Sequence, residues 1–161
     1  MSRLKLLIRK NQGKKELKNY IEKLSDILKI SISVQDFSSL EKSDELSAQY
    51  YLDFKKKEKK IDKIVKVQDL MIVPEMIKKE LSTIESLNDK TYLISKQSEI
   101  CGVVVVPLES CLKKENIKSL IELDGDNLCL ITIDKKVGIY IDYYSEYKIG
   151  IETFYYQVTL W

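Results

Sequence analysis

The sequence predicts an α+β protein: a single mixed or mostly antiparallel sheet with about three helices packed on it, in one domain spanning residues 1–161. The chain closes on three apolar, β-branched and aromatic segments, 128–133, 139–144 and 151–160, punctuated by Gly138 and Gly150. Segments of that composition between turn residues form an antiparallel three-stranded meander. Upstream, apolar residues recur at helical spacing in several stretches. With 44% hydrophobic and 32% charged residues, the chain has the composition of a folded globular protein.

Taken in order, Arg3–Arg9 is expected as a short edge strand with basic ends, and Asn11–Gly13 as a break. From Lys14 the residues Leu17, Tyr20, Ile21, Leu24, Ile27 and Leu28 recur at three and four, which predicts an amphipathic helix to about Lys29. Ser31–Phe37 is strand-like and 38–45 a polar loop. Leu46, Ala48, Tyr50, Leu52 and Phe54 alternate with Ser47, Gln49, Tyr51 and Asp53, the pattern of a half-buried strand. Lys55–Lys60 is a charged turn or strand end. Ile61–Val73 fits either a helix or a strand. Pro74 suits a first helical position, with Ile77, Leu81, Ile84 and Leu87 following and Asn88 able to end the helix. Thr91–Ser95 and Cys101–Val106 are expected as strands, the second closed by Pro107. A polar helix with Leu112, Ile117, Leu120 and Ile121 on its apolar side follows, and Asp124–Asn127 turns into the meander.

Several chemistries are excluded outright. The chain contains no histidine, so Ser–His and Cys–His pairs, HExxH zinc sites and a histidine base are ruled out. Three scattered cysteines (Cys101, Cys111, Cys129) cannot form a four-cysteine zinc site, and their odd number reads as reduced thiols of a cytoplasmic protein. Five widely spaced glycines allow neither phosphate-loop motif. The longest apolar run, Ile100–Leu108, is too short to span a bilayer, and the start has no signal-peptide core. No cofactor and no membrane partner are expected.

The remaining motifs are weak. Asp53-Phe54-Lys55, placed after a presumed strand, resembles the last element of the PD-(D/E)xK nucleases. That resemblance implies a Mg²⁺-dependent nuclease, with Asp53 holding the metal and Lys55 orienting water. Asp36 or Asp44 would supply an upstream acid, and Glu16 or Glu22 a further ligand. The same D/E-x-K triplet occurs five times in the chain, close to what random placement gives, so the pattern itself carries little. Four S-x-x-K triplets lack their companion elements, and Asp124-Gly125-Asp126-Asn127 departs from a calcium loop at Leu128 and Cys129. Gly13-Lys14-Lys15 before a helix could hold a phosphate, and a plain helix start explains it equally well.

Charge is distributed unevenly. Residues 1–67 carry 17 basic and 10 acidic side chains, whereas residues 100–161 carry 6 and 9. The basic part could meet nucleic acid, but aromatics are sparse in residues 1–45, so stacking platforms are not evident there and nucleic acid is not the expected partner. The acidic part contains the tyrosine-rich meander. If Phe154, Tyr156, Val158 and Leu160 face the core, Tyr140, Asp142, Tyr144, Tyr155 and Gln157 lie on the other face. Asp126, Asp134, Glu146, Tyr147 and Glu152 belong to the same region. Phenols rimmed by carboxylates suit a basic protein partner. The alternative is that a helix covers this face and makes the tyrosines core residues. The resulting expectation is a non-catalytic cytoplasmic protein-binding module. Its concrete version is a bacterial immunity-type protein that neutralises a basic, nuclease-like toxin domain, and a homodimer through the sheet is a variant.

Overall fold

The computed structural model describes residues 3–84 and 89–161. Its elements, in chain order, are α1 (Arg3–Leu28), a 3₁₀ turn (Val34–Asp36), α2 (Leu40–Lys56), β1 (Ile61–Lys66), a 3₁₀ turn (Val67–Asp69) and α3 (Ile72–Leu81). There follow β2 (Lys90–Ile94), α4 (Ser98–Cys101), β3 (Val104–Pro107), α5 (Leu108–Cys111), α6 (Lys114–Asp124), β4 (Asn127–Thr132), β5 (Gly138–Lys148) and β6 (Ile151–Leu160). The six described strands form one sheet in the order β1-β6-β5-β4-β2-β3, and every neighbouring pair is antiparallel. The fold is therefore α+β, and β4–β6 form the expected meander.

The N-terminal half departs from the sequence-based expectation. Arg3–Arg9 is not an edge strand but the start of α1, whose leucines, lysines and arginines are good helix formers. Gly13 does not break this helix. A Cβ there would lie 1.9 Å from the Ile100 carbonyl oxygen, so the glycine lets the backbones of α1 and α4 touch. Arg9 ties the same helix to α2 through a two-pronged pair with Asp44, at 2.9 and 2.8 Å.

Residues 40–56 are helical, not a loop followed by a strand. Ser39 caps α2 by accepting from the Lys42 N–H. The buried side chains Leu40, Ser43, Leu46, Tyr50 and Asp53 recur at three and four. Two of the five are polar, and this masked the helical stripe. Ser43 is buried because its hydroxyl donates to the Ser39 carbonyl at 2.7 Å and accepts from the Val103 N–H at 2.8 Å. Ser31–Phe37 forms a 3₁₀ turn and one bridge, Phe37 to Val104, on the outer side of β3.

Smaller corrections follow downstream. Ile61–Lys66 resolves as strand β1. Pro74 lies in the first turn of α3, two residues after its start at Ile72. That helix ends at Leu81; Leu87 and Asn88 lie outside the described residues. Cys101 ends α4, leaving β3 to begin at Val104, and Leu112 precedes α6.

Both faces of the sheet are covered near its centre. On one face, Tyr20, Leu24 and Leu28 of α1, Val73 and Ile77 of α3, and Ile117, Leu120 and Ile121 of α6 pack on Leu128, Leu130, Ile139, Ile141, Tyr156, Val158 and Leu160. On the other, Leu46 and Tyr50 of α2 pack on Tyr92, Ile131 and Trp161, with Phe54, Cys129 and Tyr140 at the margin. Edge-on ring contacts of Tyr50 with Trp161 (5.0 Å) and Phe54 with Tyr140 (5.3 Å) fix α2 in place. No described helix is long and apolar enough to cross a membrane.

Candidate protein-binding surface

Strands β5 and β6 have eleven and ten residues, while their neighbours β4 and β1 have six each. The pairing shows what this mismatch does. β4 pairs with β5 only as far as Asp142, and β1 pairs with β6 only from Tyr155 onward. Residues 143–154 are thus a two-stranded arm with no further strand beside it among the described residues. A two-stranded ribbon buries little, so its side chains stay accessible.

The arm closes through Ile149 and Gly150, at φ 51° and 78°. Left-handed conformation at both central residues is the pattern of a type I′ hairpin turn, for which Asn-Gly is preferred. Ile149 is β-branched and strained there, and it is fully exposed, as Tyr147 is to 75%. On one face of the arm the Tyr143 ring stacks on Phe154, with centroids 5.8 Å apart, and tilts against Tyr156. On the other face Tyr144 stacks on Tyr155 at 5.7 Å, with Ile151 exposed further out. Ser145 donates to Glu152, and Lys148 pairs with Glu146 at 2.7 Å.

The expected site residues divide into four groups. Tyr144, Glu146, Tyr147 and Glu152 lie on the arm, and Tyr155, paired with Tyr144 and with Lys66 of β1, lies at its base. Asp126 and Asp142 stand at its root, where the Asp126 carbonyl accepts the Tyr143 N–H at 2.7 Å. Partial burial lifts the Asp142 carboxyl above its ordinary pKa; repulsion from Asp126 adds to this and the Tyr140 hydroxyl opposes it. Tyr140 is partly covered by Phe54 of α2 and is pushed up to about 12, first by burial and then by Asp142. Asp134 is not with the others. It lies in the β4–β5 connection at the far end of β5, held by the Thr132 hydroxyl and the Lys136 N–H.

Sequence reasoning missed Tyr143, Ile149, Ile151 and Phe154. Phe154 has the alternation of a core residue, but the helices do not reach it and it is exposed. The available signal was length, because β5 and β6 are long enough to outrun six-residue neighbours.

The features read as chemistry find other roles. Asp53 sits within helix α2, not at a strand end. It accepts from Gln49 Nε2 at 2.7 Å and pairs with Lys57 at 2.9 Å, while the Lys55 ammonium lies over the Tyr51 ring. No group of three or more His, Cys, Asp or Glu side chains that could hold a metal occurs among the described residues. Burial pushes the Cys111 and Cys129 thiols up to about 12 and Cys101 to about 11, which keeps them protonated and unreactive. No protein family, curated protein or solved structure matches the chain.

Proposed function

We propose that the chain is a protein-binding module that grips a basic partner with the β5–β6 arm. The observation that carries this reading is the exposure of Tyr147, Ile149, Ile151 and Phe154 on an arm unsupported by other strands. Tyr147 and Phe154 stand on one face, Ile151 on the other and Ile149 at the tip, and exposed apolar side chains gathered on one projection mark interaction sites. Tyrosine gives large contact area with few torsions to freeze. Glu146 and Glu152 stand among them, with Lys148 paired to Glu146, and Asp126 and Asp142 add negative charge at the root. A basic partner would be steered toward such a patch.

The concrete form of the reading is an immunity-type protein of bacterial, cytoplasmic origin, which blocks a basic toxin domain by occupying its substrate groove. A projecting arm suits insertion into a groove better than a flat face does. Photo-cross-linking in the native host tests the reading. Benzoylphenylalanine in place of Tyr147 should give one discrete adduct with a basic protein, and co-expression of the chain should suppress that protein's toxicity. The same probe in place of the exposed Lys23 on α1 should give none. Indistinguishable products from the two positions would contradict an arm-mediated contact.

A further inference from the structure

At the root of the arm, on the face bearing Tyr143 and Phe154, lies a cavity of about 240 Å³. Two aliphatic side chains, Val67 and Ile121, and two phenols, Tyr143 and Tyr156, contribute to its lining. Lys118, Glu122 and Asp126 complete it. The two rings are 5.5 Å apart and inclined by 48°, so they present different edges and faces to the space between them. The bond from the Tyr143 N–H to the Asp126 carbonyl fixes Asp126 beside the phenols. Glu122 is close enough to the buried Tyr156 hydroxyl to raise its pKa, after burial itself and the Tyr143 phenol. Aromatic walls combined with carboxylates match a cation that also carries a flat apolar surface.

We propose that this cavity receives an arginine side chain of the partner, the guanidinium lying against Tyr143 and Tyr156 and bonding to Glu122 and Asp126. The proposal rests on the binding reading above and names the chemistry of its anchor. A guanidinium stacks on aromatic rings and bonds carboxylates through a planar fork, whereas an ammonium is a strongly hydrated point charge. Lys118 sits 3.8 Å from Glu122 in an exposed pair. Such a pair is weak, so an incoming arginine displaces the lysine at small cost. Two carboxylates against one ammonium leave the cavity with a net attraction for a further cation.

The test uses the whole chain and Nα-acetylarginine methylamide as probe, followed by nuclear magnetic resonance. The ring signals of Tyr143 and Tyr156 and the amides of residues 121–126 should shift and saturate. The matching citrulline compound, isosteric and uncharged, should leave them unmoved. Glu122→Gln combined with Asp126→Asn should weaken the arginine response about tenfold, as loss of charge-assisted bonds does. Both positions are exposed, so the fold should survive, as an unchanged melting temperature would verify. Lys118→Met should strengthen the response. Equal responses to arginine and citrulline, or no saturable shift at either ring, would overturn the assignment. Cross-linking from position 147 decides the arm's role independently, so failure of the cavity and failure of the arm are told apart.

Discussion

Ile149 stands where a two-residue hairpin turn calls for asparagine. At φ 51° an isoleucine is strained, and nothing in the described structure packs on it in return. Ile149→Asn should therefore stabilise the chain by about 1 kcal/mol, measurable by urea unfolding. The same substitution should weaken partner binding, because it removes the apolar tip; stability gained together with binding lost is the signature of a functional residue. Gly13 and Gly138 behave in the opposite way. A Cβ at Gly13 would collide with the Ile100 carbonyl oxygen, and one at Gly138 with the Trp161 indole. Gly13→Ala should cost about 2–4 kcal/mol in unfolding free energy, since backbone must separate from backbone. A cost below about 0.5 kcal/mol would show that α1 and α4 are not held in that contact.

At the scale of elements, α2 depends on two polar anchors that its sequence disguises. Ser43→Ala leaves the buried Val103 N–H without its partner and should cost about 1–3 kcal/mol. The Arg9–Asp44 pair joins α2 to α1 and gives a pH signature. The Arg9 guanidinium, bonded to the Asp44 carboxylate, outweighs partial burial and holds Asp44 below its ordinary pKa. Its contribution is thus fully present above pH ~4, the unfolded carboxylate range, and is lost as pH falls through the lower folded value. Asp44→Asn should flatten that part of the acid-unfolding profile; an unchanged profile would mean the pair contributes nothing. These anchors also explain which elements were legible in the sequence. The helix after Lys14, the strand from Thr91, the last helix and the meander follow hydrophobic period alone, and all were readable. Residues 40–56 were not, because Ser43 and Asp53 interrupt the apolar stripe while Leu46–Phe54 alternates by coincidence. Arg3–Gly13 was not, because the glycine serves a contact with a segment 87 residues away.

Across the whole molecule, the helices end before the sheet does. They seal Val158, Leu160 and Ile141, let Tyr143 pack at the margin, and leave residues 144–154 outside the core. The sequence identified the tyrosine-rich region and its acidic rim. It could not separate Tyr140, covered by α2, from Tyr144 and Tyr155, because coverage depends on where a distant helix ends. Nor could it remove Asp134, which is close in sequence and remote in space. The central claim is that the projecting arm makes the contact and the rest of the fold holds it out. Register permits a direct test. Tyr144 pairs with Tyr155 four residues inward from the Lys148–Ile151 pair that flanks the present turn, so it has the same hydrogen-bonding parity. Replacing residues 145–154 by Asn-Gly should close a shorter hairpin on the same sheet. The decisive measurement is the affinity of this shortened chain for the protein cross-linked from position 147. The account predicts cooperative unfolding like that of the full chain together with at least a hundredfold loss of affinity, about 3 kcal/mol; a folded, shortened chain that binds as tightly as the original would contradict it.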